Sequence, residues 1–243
     1  MVTTSEQDCG DERQKGTSHG AKSSIGGARL ESPHDMRHPV WQHARKMWEL
    51  GLVVGSAGNV SERVEGGRIA ITPTSVPYES LREEDVVLVD LGSGDAVDST
   101  LAPSYELPMH LVIYRERPDV QAIVHTHAPF VTTLSVLRRP LPAVIDEMLI
   151  YFGGTVDVAD YAFTGTEDVG RNAVRALGNR SGVILANHGN VCVGRTLAEA
   201  MHVAVTMEAC AQVYVQALAL GKPVELPAEA IEAGLQLRNA RRK

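Results

Sequence analysis

Val120-Gln-Ala-Ile-Val-His-Thr-His127, closed by Ala128-Pro129, is the stretch on which the fold turns. The apolar run from Val120 to Val124 reads as a buried strand that stops at Pro129. Side chains two apart on a strand share a face. His125 and His127 therefore converge at a strand end, where two imidazoles could clamp a divalent metal. A lone histidine is more often a core residue. A pair at strand spacing, beside glycine-rich polar loops, favours the clamp. Two histidines need at least one more ligand, and the rest of the chain is searched for it.

Downstream, Gly182 to Ala186 and Val191 to Gly194 read as two apolar strands, with Asn187-His188-Gly189-Asn190 as the tight turn between them. His188 in that turn could reach the first two histidines across neighbouring strands. Upstream, Pro103-Ser104-Tyr105-Glu106 opens a helix that ends at Arg117-Pro118. Ser104 is its candidate N-cap, and Leu107, Leu111 and Tyr114 form its apolar face. Further back, 60–64 and 68–72 flank Glu65-Gly66-Gly67 as a hairpin, and 86–90 is another strand. A first helix starts near Pro39, with Val40, Ala44, Met47 and Trp48 at helical spacing. Helices are also expected at 129–137, 167–177, 196–220 and 227–237; Thr196 and Glu199 make a capping box. The apolar stretch 143–158 reads as strand-like, broken by Gly153-Gly154. Irregular alternation with hairpins predicts a single α/β domain of α+β character. Its central sheet is mainly antiparallel and flanked by helices. It spans 34–243, after a polar tail at 1–33 expected to be disordered.

Of the 243 residues, 44% are apolar, the net charge is −7 and the pI is about 5.7. The one basic cluster is Arg238…Arg241-Arg242-Lys243, read as a solvated helix end. No nucleic-acid partner is expected. Cys192 and Cys210 read as small core residues, and Cys9, Cys192 and Cys210 make no disulfide framework. Without an apolar leader or an 18-residue apolar run, no membrane association and a cytoplasmic setting are expected.

Three histidines leave metal positions open, as catalysis requires. Glu106, at a helix start where the dipole keeps it ionised, could bind the metal or take a proton. Gly58-Asn59, Thr74-Ser75 and Ser104-Tyr105 are small polar loops that together could cradle an anion such as phosphate. His19 and His34 lack partners at ligand spacing and read as solvated, His38 and His43 read as helix-surface or helix-start residues, and His202 reads as structural or exposed.

Several motifs occur together: Gly58-Asn-Val-Ser61, Ile71-Thr-Pro-Thr74…Pro77-Tyr78, Pro103-Ser104-x-Glu106…His110, Val124-His-Thr-His127 and His188-Gly189. In this order they resemble class II aldolases of the fuculose-phosphate aldolase/adducin-head type, over roughly residues 36–220. The resemblance implies a central, mainly antiparallel sheet and a zinc ion on His125, His127 and His188, with manganese, cobalt or iron as alternatives. It implies that Glu106 coordinates the resting metal and becomes the general acid/base. It implies phosphate binding by Gly58, Asn59, Thr74, Ser75, Ser104 and Tyr105. The implied reaction cleaves a ketose phosphate to dihydroxyacetone phosphate and an aldehyde through a zinc-stabilised enediolate. The implied assembly is a homotetramer with active sites at subunit interfaces.

Two positions depart from the pattern. Tyr105 stands where a serine is common. Glu147, in Ile145-Asp-Glu-Met148, stands where fuculose-phosphate aldolases carry a proton-donating tyrosine. A Glu-Met pair there is similar to methylthioribulose-phosphate dehydratases, which lack a glutamate at the position of Glu106. Glu147 as acid/base implies dehydration, epimerisation or decarboxylation as the alternative to aldol cleavage. Adducin-type interaction modules lack the metal ligands present here.

Overall fold

Alternating apolar residues pull this chain into one central sheet, and the computed structural model describes it over residues 33–242. The helices are α1 (Pro33–Glu49), α2 (Leu107–Glu116), α3 (Pro129–Val136), α4 (Asp146–Tyr151), α5 (Glu167–Leu177), α6 (Leu197–Leu220) and α7 (Ala228–Arg242). The strands are β1 (Asn59–Val64), β2 (Arg68–Ile71), β3 (Val87–Asp90), β4 (Ala122–Thr126), β5 (Val158–Ala159), β6 (Gly182–Leu185) and β7 (Gly189–Gly194). They form a seven-stranded sheet in the order β3-β2-β1-β4-β7-β6-β5. Every pairing is antiparallel except β5 with β6, at one edge. The single domain and its mainly antiparallel sheet are as expected.

The strand period sorts residues onto two faces. Val60, Val124 and Cys192 join the core under α1, α3 and α6. Ile123, Val191 and Val193 join the core under α2 and α5. His125 follows Ile123 by two residues, so it faces the α2 side. β4 is the middle strand, paired with β1 and β7, which places the histidine pair at the centre of the sheet.

α6 is long and apolar enough to cross a membrane by length and composition. Its buried residues, among them Ala200, Ala204, Met207 and Ala211, instead pack on the sheet and on α1 and α3. Cys192 and Cys210 are buried free thiols, as their apolar surroundings suggested.

Four expectations change. α1 begins at Pro33, and Pro39 lies inside it. The missing amide of Pro39 is outweighed by burial of Met36, Val40, Ala44 and Met47 as one continuous stripe. Within 143–158 the apolar residues before the two glycines form the helix α4, where Met148 and the C-cap Phe152 are buried four apart. Gly153 and Gly154, both at positive φ, close it with amides donating to the Met148 carbonyl. Arg238 is buried, donating to the Asn179 carbonyl and to Ser181, so that part of the basic terminus is an anchor for α7. Ser104 is not the N-cap of α2; Glu106 is. The tail expected at 1–33 lies outside the described residues, apart from Pro33.

Candidate active site

His125 is fully buried, and its Nδ1 lies 2.9 Å from the Asn190 carbonyl of β7. A carbonyl only accepts, so Nδ1 carries the hydrogen and Nε2 turns its lone pair inward. That Nε2 is 3.0 Å from Nε2 of His127 and 2.9 Å from Oε2 of Glu106. Nε2 of His188 is 3.2 Å from Oε1 of Glu106. The ligand atoms of all four residues lie within 4.8 Å of one another. The expected histidines and glutamate are therefore one cluster.

Acceptor atoms packed this closely repel unless a cation lies between them. Without a metal, a proton serves. Burial opposes charge on His125, but the Glu106 carboxylate beside it raises its pKa above the ordinary histidine value. Burial also opposes charge on Glu106, and the attraction of His125, then of His188, holds its carboxyl well below the usual carboxylate range. Burial, and next the charge of His125, push His127 down to about 3 and His188 down to about 4. Both stay neutral at pH 7, with lone pairs available. Tetrahedral zinc with Zn–N bonds of about 2.0–2.1 Å separates its nitrogens by about 3.3 Å. The Nε2 pair at 3.0 Å meets that spacing with a shift of tenths of an ångström. The donor set fits a divalent ion.

Local sequence sets each ligand. In the register of β1 and β4, Asn59 lies opposite His125. Gly58, at φ +73, approaches so closely that a Cβ would lie 2.6 Å from the His125 carbonyl oxygen. Tyr78 donates to the Gly58 carbonyl at 2.6 Å and fixes the loop. The turn bearing His188 needs Asn187 in the left-handed region, φ 55, where asparagine is tolerated. Ser135 of α3 clasps it: the His188 amide donates to Ser135 Oγ at 2.7 Å and the Asn187 amide to the Ser135 carbonyl at 3.1 Å. At Gly189 a Cβ would lie 2.2 Å from the Thr126 carbonyl oxygen, so only glycine lets this turn meet β4.

Glu106 opens α2, and its amide donates to Ser104 Oγ at 3.2 Å. Ser104 thus secures the turn before the helix. Asn59 Nδ2 donates to Glu106 Oε2 at 2.8 Å, and Thr164 Oγ1 donates to Oε1 at 2.9 Å. Thr164, Ser135 and Asn190 were not legible as site residues, because each acts through a contact distant in sequence.

In front of the cluster lies a cleft of about 450 Å³. Gly58, Asn59, Thr74, Ser75, Ser104 and Tyr105 all line it, together with Glu106, His127 and His188. His125 sits behind this wall. The three small polar loops, separated in sequence, therefore face one space beside the histidine cluster.

The model of the Class II Aldolase and Adducin N-terminal domain matches residues 39–215. The chain belongs to this family. The 5-methylthioribulose-1-phosphate/5-deoxyribulose-1-phosphate aldolase of Rhodospirillum rubrum is 39% identical over 201 residues, covering 83% of this chain and 90% of that one. The 5-deoxy-D-ribulose 1-phosphate aldolase of Bacillus thuringiensis is 36% identical over 197 residues, covering 81% and 92%. A solved L-fuculose 1-phosphate aldolase superposes with a TM-score of 0.81 at 35% identity, covering 88% of this chain and all of that one. With the complete histidine and glutamate set present, this member of the family is a class II aldolase, an aldehyde-lyase.

Glu147 is the departure within this class II aldolase. It is exposed on α4 and does not line the cleft; its charge acts on Cys210 of α6. The cleft mouth carries exposed aromatics instead: Tyr105, Tyr161 and Phe163. The Tyr105 ring lies over Gly165, where a Cβ would meet Cε1 at 2.1 Å.

Proposed function

We propose that this aldolase splits a ketose 1-phosphate between C3 and C4 into dihydroxyacetone phosphate and an aldehyde. A divalent metal held by His125, His127 and His188, with zinc the first candidate, assists it. The observation that carries this is the convergence of three Nε2 atoms and Glu106 beside one polar cleft. The ion, when bound, supplies a Lewis acid that draws electron density from the ketose carbonyl. His125 is oriented for it by the Asn190 carbonyl, and His188 by the Ser135 clasp.

Glu106 would complete the donor set that holds the ion, and it is the proposed general acid/base. Its carboxylate moves the proton at C3, the carbon from which the aldehyde has left. Asn59 and Thr164 each donate to one of its oxygens, at 2.8 and 2.9 Å, and hold the carboxylate in place. Gly58, Asn59, Thr74, Ser75, Ser104 and Tyr105 hold the phosphate, through hydroxyls, the Asn59 amide and backbone N–H groups. Tyr105 keeps a hydroxyl there, though its ring also walls the cleft. Tyr161 and Phe163 at the mouth suit a substrate with an apolar distal end, the kind named for the Rhodospirillum rubrum relative.

The proposed assembly is a homotetramer with active sites at its interfaces, which would cover the exposed aromatics of the mouth. Glu147, outside the cleft of its own chain, would then act on a neighbouring cleft as proton donor. Within the described chain no contact of Glu147 with the cleft favours dehydration, epimerisation or decarboxylation.

A product-identified assay tests the reaction. Protein stripped by chelator and reloaded with zinc, manganese, cobalt or iron is given 5-deoxyribulose, 5-methylthioribulose and fuculose 1-phosphates. Metal-dependent release of dihydroxyacetone phosphate is expected. Loss of water or carbon dioxide instead, or full activity in the stripped protein, would overturn the proposal.

A further inference from the structure

Behind Glu106 the polar contacts continue into the protein. Glu106, His110 and Tyr114 fall four apart along one face of α2. Asn59 and Ser61 fall two apart on the face of β1 that meets it. The two series interlock. Asn59 Nδ2 is 2.8 Å from Glu106, and Asn59 Oδ1 is 2.5 Å from His110 Nε2. Ser61 Oγ is 2.6 Å from His110 Nδ1 and 2.8 Å from the Tyr114 hydroxyl. All five residues are buried. His110, Ser61 and Tyr114 do not line the cleft.

We propose that Tyr114, Ser61 and His110 form a one-way string of hydrogen-bond donors that locks the Asn59 amide and, through it, orients the Glu106 carboxylate. They are positioning residues, and the proposal rests on the acid/base role given to Glu106 above.

Donor and acceptor chemistry sets the direction. An ionised carboxylate only accepts, so Asn59 Nδ2 donates to Glu106. The amide oxygen then faces His110 and must accept, so His110 Nε2 carries a hydrogen. The ring is fully buried and neutral; burial, then the nearby charge of His125, push its pKa down to about 3. Nδ1 therefore offers a lone pair, and Ser61 spends its one hydroxyl hydrogen on it. The Ser61 oxygen accepts in turn from Tyr114. Reversing one link puts two donors or two acceptors face to face in a dry interior, where a stranded polar group is costly.

The anchor of the string is also built. Arg63, the next residue on this face of β1, lies 4.7 Å over the Tyr114 ring and donates to the Tyr114 carbonyl. A terminal amide otherwise turns easily about its last torsion. The string removes that freedom from Asn59, so Oε2 of Glu106 keeps a donor fixed in direction.

Two measurements test this. With 15N-labelled histidine, His110 in the metal-free wild type is expected as the neutral Nε2–H tautomer at pH 7 and still at pH 5. A neutral Nδ1–H tautomer or an imidazolium would overturn the proposal. In kinetics, His110→Leu is expected to lower kcat by about 10- to 100-fold, as losses of such supporting contacts do. KM is expected to move less, because the string touches no substrate. His110→Gln, which can present an amide N–H to Asn59 Oδ1, is expected to recover most of kcat. A folded His110→Leu protein with wild-type kcat would refute the positioning role. If the leucine variant does not fold, Ser61→Ala takes its place, with the same kcat-specific loss expected and an unchanged kcat refuting. If the wild type cleaves no ketose phosphate yet shows the expected tautomer, the reaction proposed above falls. The string's direction would remain.

Discussion

Glu106→Gln separates a metal ligand from an acid/base, because glutamine keeps the shape and loses the proton chemistry. In the structure one Glu106 oxygen accepts from Asn59 at 2.8 Å and the other from Thr164 at 2.9 Å. A glutamine can point its oxygen at the Asn59 amide and its NH2 at the Thr164 hydroxyl, which turns to accept, so both neighbours stay paired and only the negative charge is lost. His125 loses the charged acceptor 2.9 Å from its Nε2, which costs about 1.5–3 kcal/mol, seen as a lower urea midpoint in the metal-free protein. The catalytic loss should be larger. A positioned general acid/base contributes about 10²- to 10⁴-fold, and kcat should fall by that factor. His125, His127 and His188 remain, so the variant should still load metal at saturating concentration, read by elemental analysis after gel filtration. The assay is coupled release of dihydroxyacetone phosphate, run on wild type and variant at equal metal content. Recovery of kcat to within tenfold of wild type by excess metal would refute the acid/base role and leave Glu106 a ligand only.

Other outcomes follow from the same geometry. His125 has a raised pKa and must lose its proton to bind metal, so metal retention should be complete above that pKa and lost as the pH falls through it. Titration against a competing chelator between pH 5 and 8 checks this, and a flat profile would contradict it. Gly189→Ala puts a methyl 2.2 Å from the Thr126 carbonyl oxygen and 3.0 Å from the His127 ring. It should cost about 1–3 kcal/mol and lower metal content, measured by thermal unfolding and elemental analysis. Ser135→Ala leaves the His188 amide with only its longer bond to the Leu185 carbonyl, 3.2 Å. A loss of about 1 kcal/mol with weaker metal retention is expected, and unchanged retention would remove Ser135 from the support of His188. For Glu147, mixing inactive Glu106→Gln protomers with Glu147→Gln protomers should restore activity, because some interfaces then hold both native carboxylates. Mixtures no more active than their parts would exclude Glu147 from a neighbouring cleft.

Much of the fold and most of the cluster were legible because they obey short periods. The strand period gave the shared face of His125 and His127, and the turn chemistry around Asn187 and Gly189 gave His188 its place. The three polar loops were recognisable as loops, and the structure adds that they meet at one cleft. What failed did so for physical reasons. Residues 143–158 carry apolar side chains that satisfy either a short strand or one helical turn, and burial of Met148 and Phe152 against the core decides for the helix. Pro39 looked like a helix start, yet a stripe from Met36 to Met47 offsets one lost amide bond.

The polar string illustrates the limit more sharply. Its periods were present in the sequence: Glu106, His110 and Tyr114 four apart, Asn59 and Ser61 two apart. Read separately, each is a polar residue on an otherwise apolar element, and Tyr114, on the helix face shared with Leu107 and Leu111, passes for core. Only the packing of α2 across β1, residues about fifty apart in the chain, turns two weak periodicities into one connected network. The helix repeat advances about 6 Å per four residues and the strand about 6.6 Å per two. Those rises nearly match, so a helix laid along a strand can interdigitate polar groups link by link. His125 and His127 lie at the end of β4, the neighbour of β1, His188 lies in the turn before β7, and Glu106 lies at the start of α2. The same crossing that seals the core therefore delivers acid, amide and imidazoles to one point.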